Sequence, residues 1–158
     1  KIILDIINKN TYYINSNTIY LNNKRKNILM SNNYYAHFQI SDELELKLHI
    51  GKTYWDGEKS SFSTISGKYF ATVKQWVDFL NHNKYRITIV DENSDYYDLD
   101  TFINDLLEDD SKPVSKITWL KDSGFTVFED HIPENIPFND TYWVDPDSGK
   151  LFCNSYFS

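Results

Sequence analysis

Between residues 34 and 50 the chain alternates apolar and polar side chains with a period of two, and does so twice. Tyr34, Ala36, Phe38 and Ile40 fall on one side of an extended backbone. After the polar Ser41-Asp42-Glu43, the residues Leu44, Leu46, Leu48 and Ile50 repeat the pattern. Successive side chains of a strand point to opposite faces, so each half makes a strand with one face in the core and one towards water. The break between them is short, and a hairpin is the natural connection. Tyr35, His37 and Gln39 then share the polar face with Lys47, His49 and Gly51. An antiparallel sheet grown from this hairpin is the frame on which the rest of the chain must pack.

Residues 51–70 read as loop, with a short strand around 62–65. Thr72 and Gln75 form a capping-box signature, in which each side chain satisfies a backbone N–H at a helix start. Val73, Trp76, Val77 and Leu80 then recur at helical spacing. Residues 85–90 are rich in β-branched side chains and read as a strand, followed by a polar turn at 91–95. Asp98 is a good N-cap for a second helix, whose Leu99, Phe102, Ile103, Leu106 and Leu107 recur at helical intervals. Pro113 lies beyond its end. Residues 115–120 and 125–128 read as strands. The strands 141–144 and 150–154 close a hairpin through Asp145-Pro146-Asp147-Ser148-Gly149, with Pro early in the turn and Gly where positive φ is needed. The expected fold is α+β, mainly antiparallel sheet with two amphipathic helices (about 72–82 and 99–109) packed on it.

Residues 1–29 stand apart. They are dominated by Ile, Asn, Lys and Tyr and contain no Gly, Ala, Val, Phe, Trp, Glu or Pro. The expected organisation is a single domain over 30–158 preceded by an N-terminal extension, 1–29, which either carries a short strand at 18–21 or lies upstream of a native start at Met30. The 158 residues suffice for one domain with a hydrophobic core. An aromatic content of 16% is high for a chain that remains disordered. No apolar run approaches the roughly 18 residues of a membrane-spanning helix, and no secretory signal pattern is seen. One cysteine, Cys153, allows no internal disulfide and no multi-cysteine zinc site; the expected location is the cytoplasm. The net charge of −7 argues against a nonspecific nucleic-acid binder, which presents a basic stripe, and leaves a basic protein partner open. The oligomeric state has no signature in the sequence.

Two groups of residues qualify as sites. On the polar hairpin face, Tyr35, His37, His49 and Lys52 are candidate ligand-binding residues. His37 and His49 on adjacent strands come close enough, at about 5 Å between Cβ atoms of directly opposed residues, to share a metal or a proton. Two imidazoles supply only half a zinc shell, and no carboxylate can be singled out to complete it, so no metal or other cofactor is assigned and the pair also reads as solvated histidines. Asp91, Glu92 and Asp95 are candidate partner-binding residues, within a run of nine acidic and no basic residues from 91 to 110. The same run also reads as a turn and a solvated helix face. Gly51-Lys52-Thr53 looks like the end of a phosphate-binding loop, but the position five residues before Gly51 is Leu46, inside a strand, and no helix pattern follows. Cys153 reads as a buried structural thiol. No catalytic residue is assigned.

The order of short motifs resembles a family of small uncharacterised bacteriophage and prophage proteins. The matching pieces are Asn33-Tyr34-Tyr35, His49-Ile50-Gly51-Lys52-Thr53, Trp76 in a helix, and Val90-Asp91-Glu92 before a second helix. They end with Trp143-Val144-Asp145-Pro146-Asp147-Ser148-Gly149-Lys150-Leu151-Phe152 and a terminal Phe157-Ser158. Members often carry cysteines between the first two motifs, where this chain has Ser41-Asp42-Glu43. The resemblance implies a phage origin and the cytoplasm of a host cell. Two functions are expected from the sequence as a whole. One is an accessory protein that binds, and thereby inhibits, a host or bacterial protein. The other is a binder of a small ligand or nucleotide derivative, or an enzyme, working through the hairpin face around His37, His49 and Lys52.

Overall fold

The computed structural model describes residues 31–42, 44–56, 59–65, 70–108, 114–134 and 141–154. The extension 1–29 with its expected strand at 18–21, Pro113 and the terminal Phe157-Ser158 lie outside the described residues. The alternating segments form the expected hairpin, β1 (Ser31–Ser41) and β2 (Leu44–Asp56). The second strand runs six residues past Ile50, so 51–56 is strand where a loop was expected, and it pairs onward with β3 (Lys59–Ile65).

The capping box at Thr72 and Gln75 starts α1 (Val73–His82) as its sequence predicts. Next come β4 (Ile87–Asp91) and the two-residue β5 (Tyr96–Tyr97), joined by the 91–95 turn. Asp98 caps α2 (Leu99–Phe102), its carboxylate accepting the Thr101 N–H at 3.0 Å. The helix widens into a π-turn over Ile103–Leu107, closed by Glu108 N–H donating to the Ile103 carbonyl. The chain then forms α3 (Val114–Asp122), β6 (Thr126–Phe128), β7 (Thr141–Val144) and β8 (Leu151–Cys153).

The strand expected at 115–120 is therefore helix. Its buried Leu120 and half-buried Ile117 sit three residues apart on one helical face, whereas Trp119, which a strand reading would place beside Ile117, is 59% exposed. Gly124, at φ 87°, ends the helix in a conformation that costs a glycine little, and the Phe125 N–H reaches back to the Leu120 carbonyl.

The described strands form one eight-stranded sheet in the order β5-β4-β1-β2-β3-β8-β7-β6. Pairing is antiparallel except for β3 with β8 and β6 with β7. Alternation along β7 and β8 sorts their side chains between two cores. Trp143 and Phe152 join Tyr34, Ala36, Phe38, Ile50 and Ile89 under α1 and α2, against Trp76, Leu80, Phe102 and Leu107. Tyr142, Leu151 and Cys153 face the other way, against Leu120 of α3. Both helical layers thus lie on one sheet, but the apolar residues of α3 pack on the β7–β8 end. Among the described residues no helix is long and apolar enough to cross a membrane.

Candidate functional site

The hairpin places Tyr35, His37 and His49 on one polar face, as their spacing predicts. The pairing is not the symmetric one: Tyr35 stands opposite His49 and His37 opposite Lys47, so the two histidines are diagonal neighbours. Each has its own contact. The His37 Nδ1 pairs with Glu45. His49 stacks on Tyr35 with ring centroids 4.7 Å apart, and the Lys47 ammonium lies 4.0 Å from the centre of the same tyrosine ring. The His49 Nε2 lies 3.1 Å from the Gly51 carbonyl, and a carbonyl only accepts, so Nε2 carries the proton of the neutral ring. Burial holds the His49 pKa down at about 4 against the help of that carbonyl, and the Lys52 and Lys47 charges push the same way. His49 is therefore an uncharged, fixed ring at neutral pH.

Lys52 reaches this region through a defect in the strand. Pairing steps from Tyr34–Gly51 to Tyr35–His49, leaving Ile50 as the extra residue of a β-bulge. Regular alternation would put Lys52 on the core side with Leu48 and Ile50. The bulge instead sets it opposite Asn33, on the side of Tyr35, and gives Gly51 the place opposite Tyr34. Lys52 is 7% exposed, and among the described residues no carboxylate lies within ion-pair distance of it.

Two residues further along β2, Tyr54 falls on the same side as Lys52. The Lys52 ammonium is 5.7 Å from the centre of the Tyr54 ring, and Lys116 of α3 places its ammonium over that same ring. Burial, with smaller contributions from Cys153 and Tyr142, pushes the Tyr54 phenol far above its usual range, so it stays protonated. Lys116 is lowered to about 7, first by burial and then by the Lys52 charge, with Cys153 opposing. Lys52, Tyr54 and Lys116 thus meet where the polar hairpin face runs under the edge of α3. Sequence reasoning reaches only Lys52 of these three. Tyr54 lies in a stretch read as loop and Lys116 in a helix read as strand, so neither carried a local signal.

The acidic candidates divide. Asp91 is 2% exposed and turned inward. Its carboxylate accepts the backbone N–H groups of Asn93 and Asp95 at 2.8 and 2.9 Å, the Asn32 amide at 2.8 Å and the Tyr97 hydroxyl at 3.3 Å. Burial raises its pKa, but these hydrogen bonds outweigh it and hold the carboxyl below its ordinary value. Asp91 is accordingly the internal fastener of the β4–β5 turn and presents no charge to a partner. Glu92, which accepts from the Asn33 amide at 2.6 Å, and Asp95 are both exposed. Between them and Asp98 stands Tyr96, on the outermost strand and 79% exposed.

Asp145 has a structural duty of the same kind. Its Oδ2 accepts the Val73 N–H at the start of α1 (2.9 Å) and the Ser148 hydroxyl (2.7 Å), which pins the 145–149 turn against the helix. A cleft of about 450 Å³ lies between this turn and α3; Asp145, Pro146 and Gly149 of the turn line it, but none of the candidate ligand-binding or partner-binding residues does. Among the described residues no three His, Cys, Asp or Glu side chains group closely enough to hold a metal ion. Comparison with protein-family models, curated proteins and solved structures found no match.

Proposed function

We propose that this chain is a small phage-encoded accessory protein that binds a basic surface of a host protein through its acidic sheet edge, and inhibits that protein by covering it. The observation that carries this reading is Tyr96, 79% exposed on edge strand β5. Around it the chain from 87 to 108 contains no basic residue and exposes Glu92, Asp95, Asp98, Asp100, Asp105 and Glu108. A tyrosine ring supplies contact area at small entropic cost, and a surrounding field of one sign steers a complementary partner into place. The overall charge of −7 extends that field, and the resemblance to phage proteins supports a bacterial host as the setting.

The test is capture from bacterial lysate on the immobilised chain, with Tyr96→Ala and the double variant Glu92→Lys/Asp95→Lys as controls. A basic partner should be retained, elute as salt rises, and bind at least tenfold more weakly to both variants. A partner held undiminished by the two variants removes the acidic edge as the working surface.

A second reading has a specific observation behind it. The buried Lys52, which has no carboxylate partner among the described residues, supports a small anionic ligand at the polar face around His37 and His49.

A further inference from the structure

We infer that Lys52 and Lys116, both brought to the Tyr54 ring, form a binding site for a compact tetrahedral oxyanion such as the phosphoryl group of a small phosphorylated metabolite. This deepens the small-ligand reading and rests on it, but moves the site away from the two histidines and under the edge of α3. The first support is Lys52. An ammonium on a side chain 93% withdrawn from solvent loses hydration, and interiors normally repay that loss with a carboxylate. Among the described residues none is within reach of Lys52.

The second support is convergence from two elements. Lys52 on β2 and Lys116 on α3 are brought to one aromatic ring, although like charges repel. That repulsion contributes to the lowering of Lys116 to about 7. An anion seated between the two ammonium groups replaces repulsion with attraction and returns Lys116 to its charged form.

The surroundings set the class of ligand. Among the described residues, the neutral His49 feels the Lys52 charge, Cys153 acts on Lys116, and the protonated Tyr54 lies against both lysines. Planar carboxylates are best matched by the two-pronged guanidinium of arginine, whereas lysines act as point charges suited to several oxygens at once. Two lysines and no arginine therefore favour a phosphoryl or sulfate group over a carboxylate.

Sulfate is the probe, because it keeps its double charge across the pH range in which Lys116 titrates. Calorimetric titration of the full chain is expected to show one saturable site whose affinity falls about tenfold between pH 6 and pH 8, as an amine with a pKa near 7 loses its proton. Lys52→Gln and Lys116→Gln should each weaken binding at least tenfold at pH 6. Inorganic phosphate should compete with sulfate for the same site. General stabilisation by sulfate, which acts through exclusion from the whole surface, persists in both variants and is subtracted by them. Amide NMR shifts on adding sulfate should centre on residues 52–54 and 116–120. Equal affinity in wild type and both variants overturns the site. Shifts confined to Tyr35, His37 and Lys47 overturn it while leaving the hairpin-face reading standing, and an absence of shifts anywhere on these elements overturns both.

Discussion

The two faces of the central sheet are built from the same strands yet obey different rules. Under α1 and α2 the face is closed. Phe70 stacks on Trp76 with ring centres 3.8 Å apart, and Tyr34 packs edge-on against Tyr97. The one polar atom of Trp143 is matched by the Ala71 carbonyl at 2.9 Å. Across the sheet, α3 covers the β7–β8 end and leaves the β1–β2 end to Tyr35, His37, Lys47 and His49. Full exclusion of water admits only apolar groups and matched hydrogen bonds. Partial exclusion permits charges but moves their proton affinities, which is the state of His49 and Lys116. Close packing and shifted proton affinities are thereby separated by the thickness of one sheet.

The strongest way to break that comparison is to open the closed face. Trp143→Ala deletes a side chain with no exposure and should destabilise the fold by about 3–5 kcal/mol, read from the midpoint of urea denaturation. A loss below about 1 kcal/mol would mean that this face is no better packed than its counterpart. Next in size is Asp145→Ala, which strips a buried carboxylate acceptor from the Val73 N–H and the Ser148 hydroxyl. The expected cost is about 2–3 kcal/mol in the same measurement, with helix α1 the first element to lose amide protection in hydrogen exchange.

A titration sharpens the comparison on the polar side. His49 is neutral in the folded protein down to about pH 4, while in the unfolded chain it takes up a proton near its ordinary 6.5. Its contribution to stability is therefore complete above pH 6.5 and is lost as the pH falls towards 4. Urea midpoints measured between these values should decline with falling pH, and His49→Gln should flatten the decline. An unchanged slope in the variant would show that the ring is not desolvated by its stack on Tyr35.

The same contrast explains how far the sequence could be read. The hairpin, the capping box at Thr72, the N-cap at Asp98 and the turn at 145–149 each write their geometry into a few adjacent residues, and each was legible. The α3 segment was not, because a short helix touching the sheet through Ile117 and Leu120 needs too few apolar positions to display a helical period. Trp119 then imitates strand alternation. The side on which Lys52 emerges was hidden for another reason. It depends on whether Ile50 is paired or bulged, a question of register between two strands that no local window contains. Asp91 shows the reverse error of inference: a residue in an acidic run looks like surface until its four donors are placed around it.

The parallel seam between β3 and β8 has a consequence for how the molecule is made. Strand β8 lies between β3 and β7 in space but follows every other described strand in the chain. During synthesis the β5-β4-β1-β2-β3 portion emerges early with an open flank. That flank closes only after Leu151–Cys153 leave the ribosome and slide in beside Ser63–Ile65. Until that moment the core under α1 and α2 lacks Phe152, and the nascent chain carries a strand edge that other chains can reach.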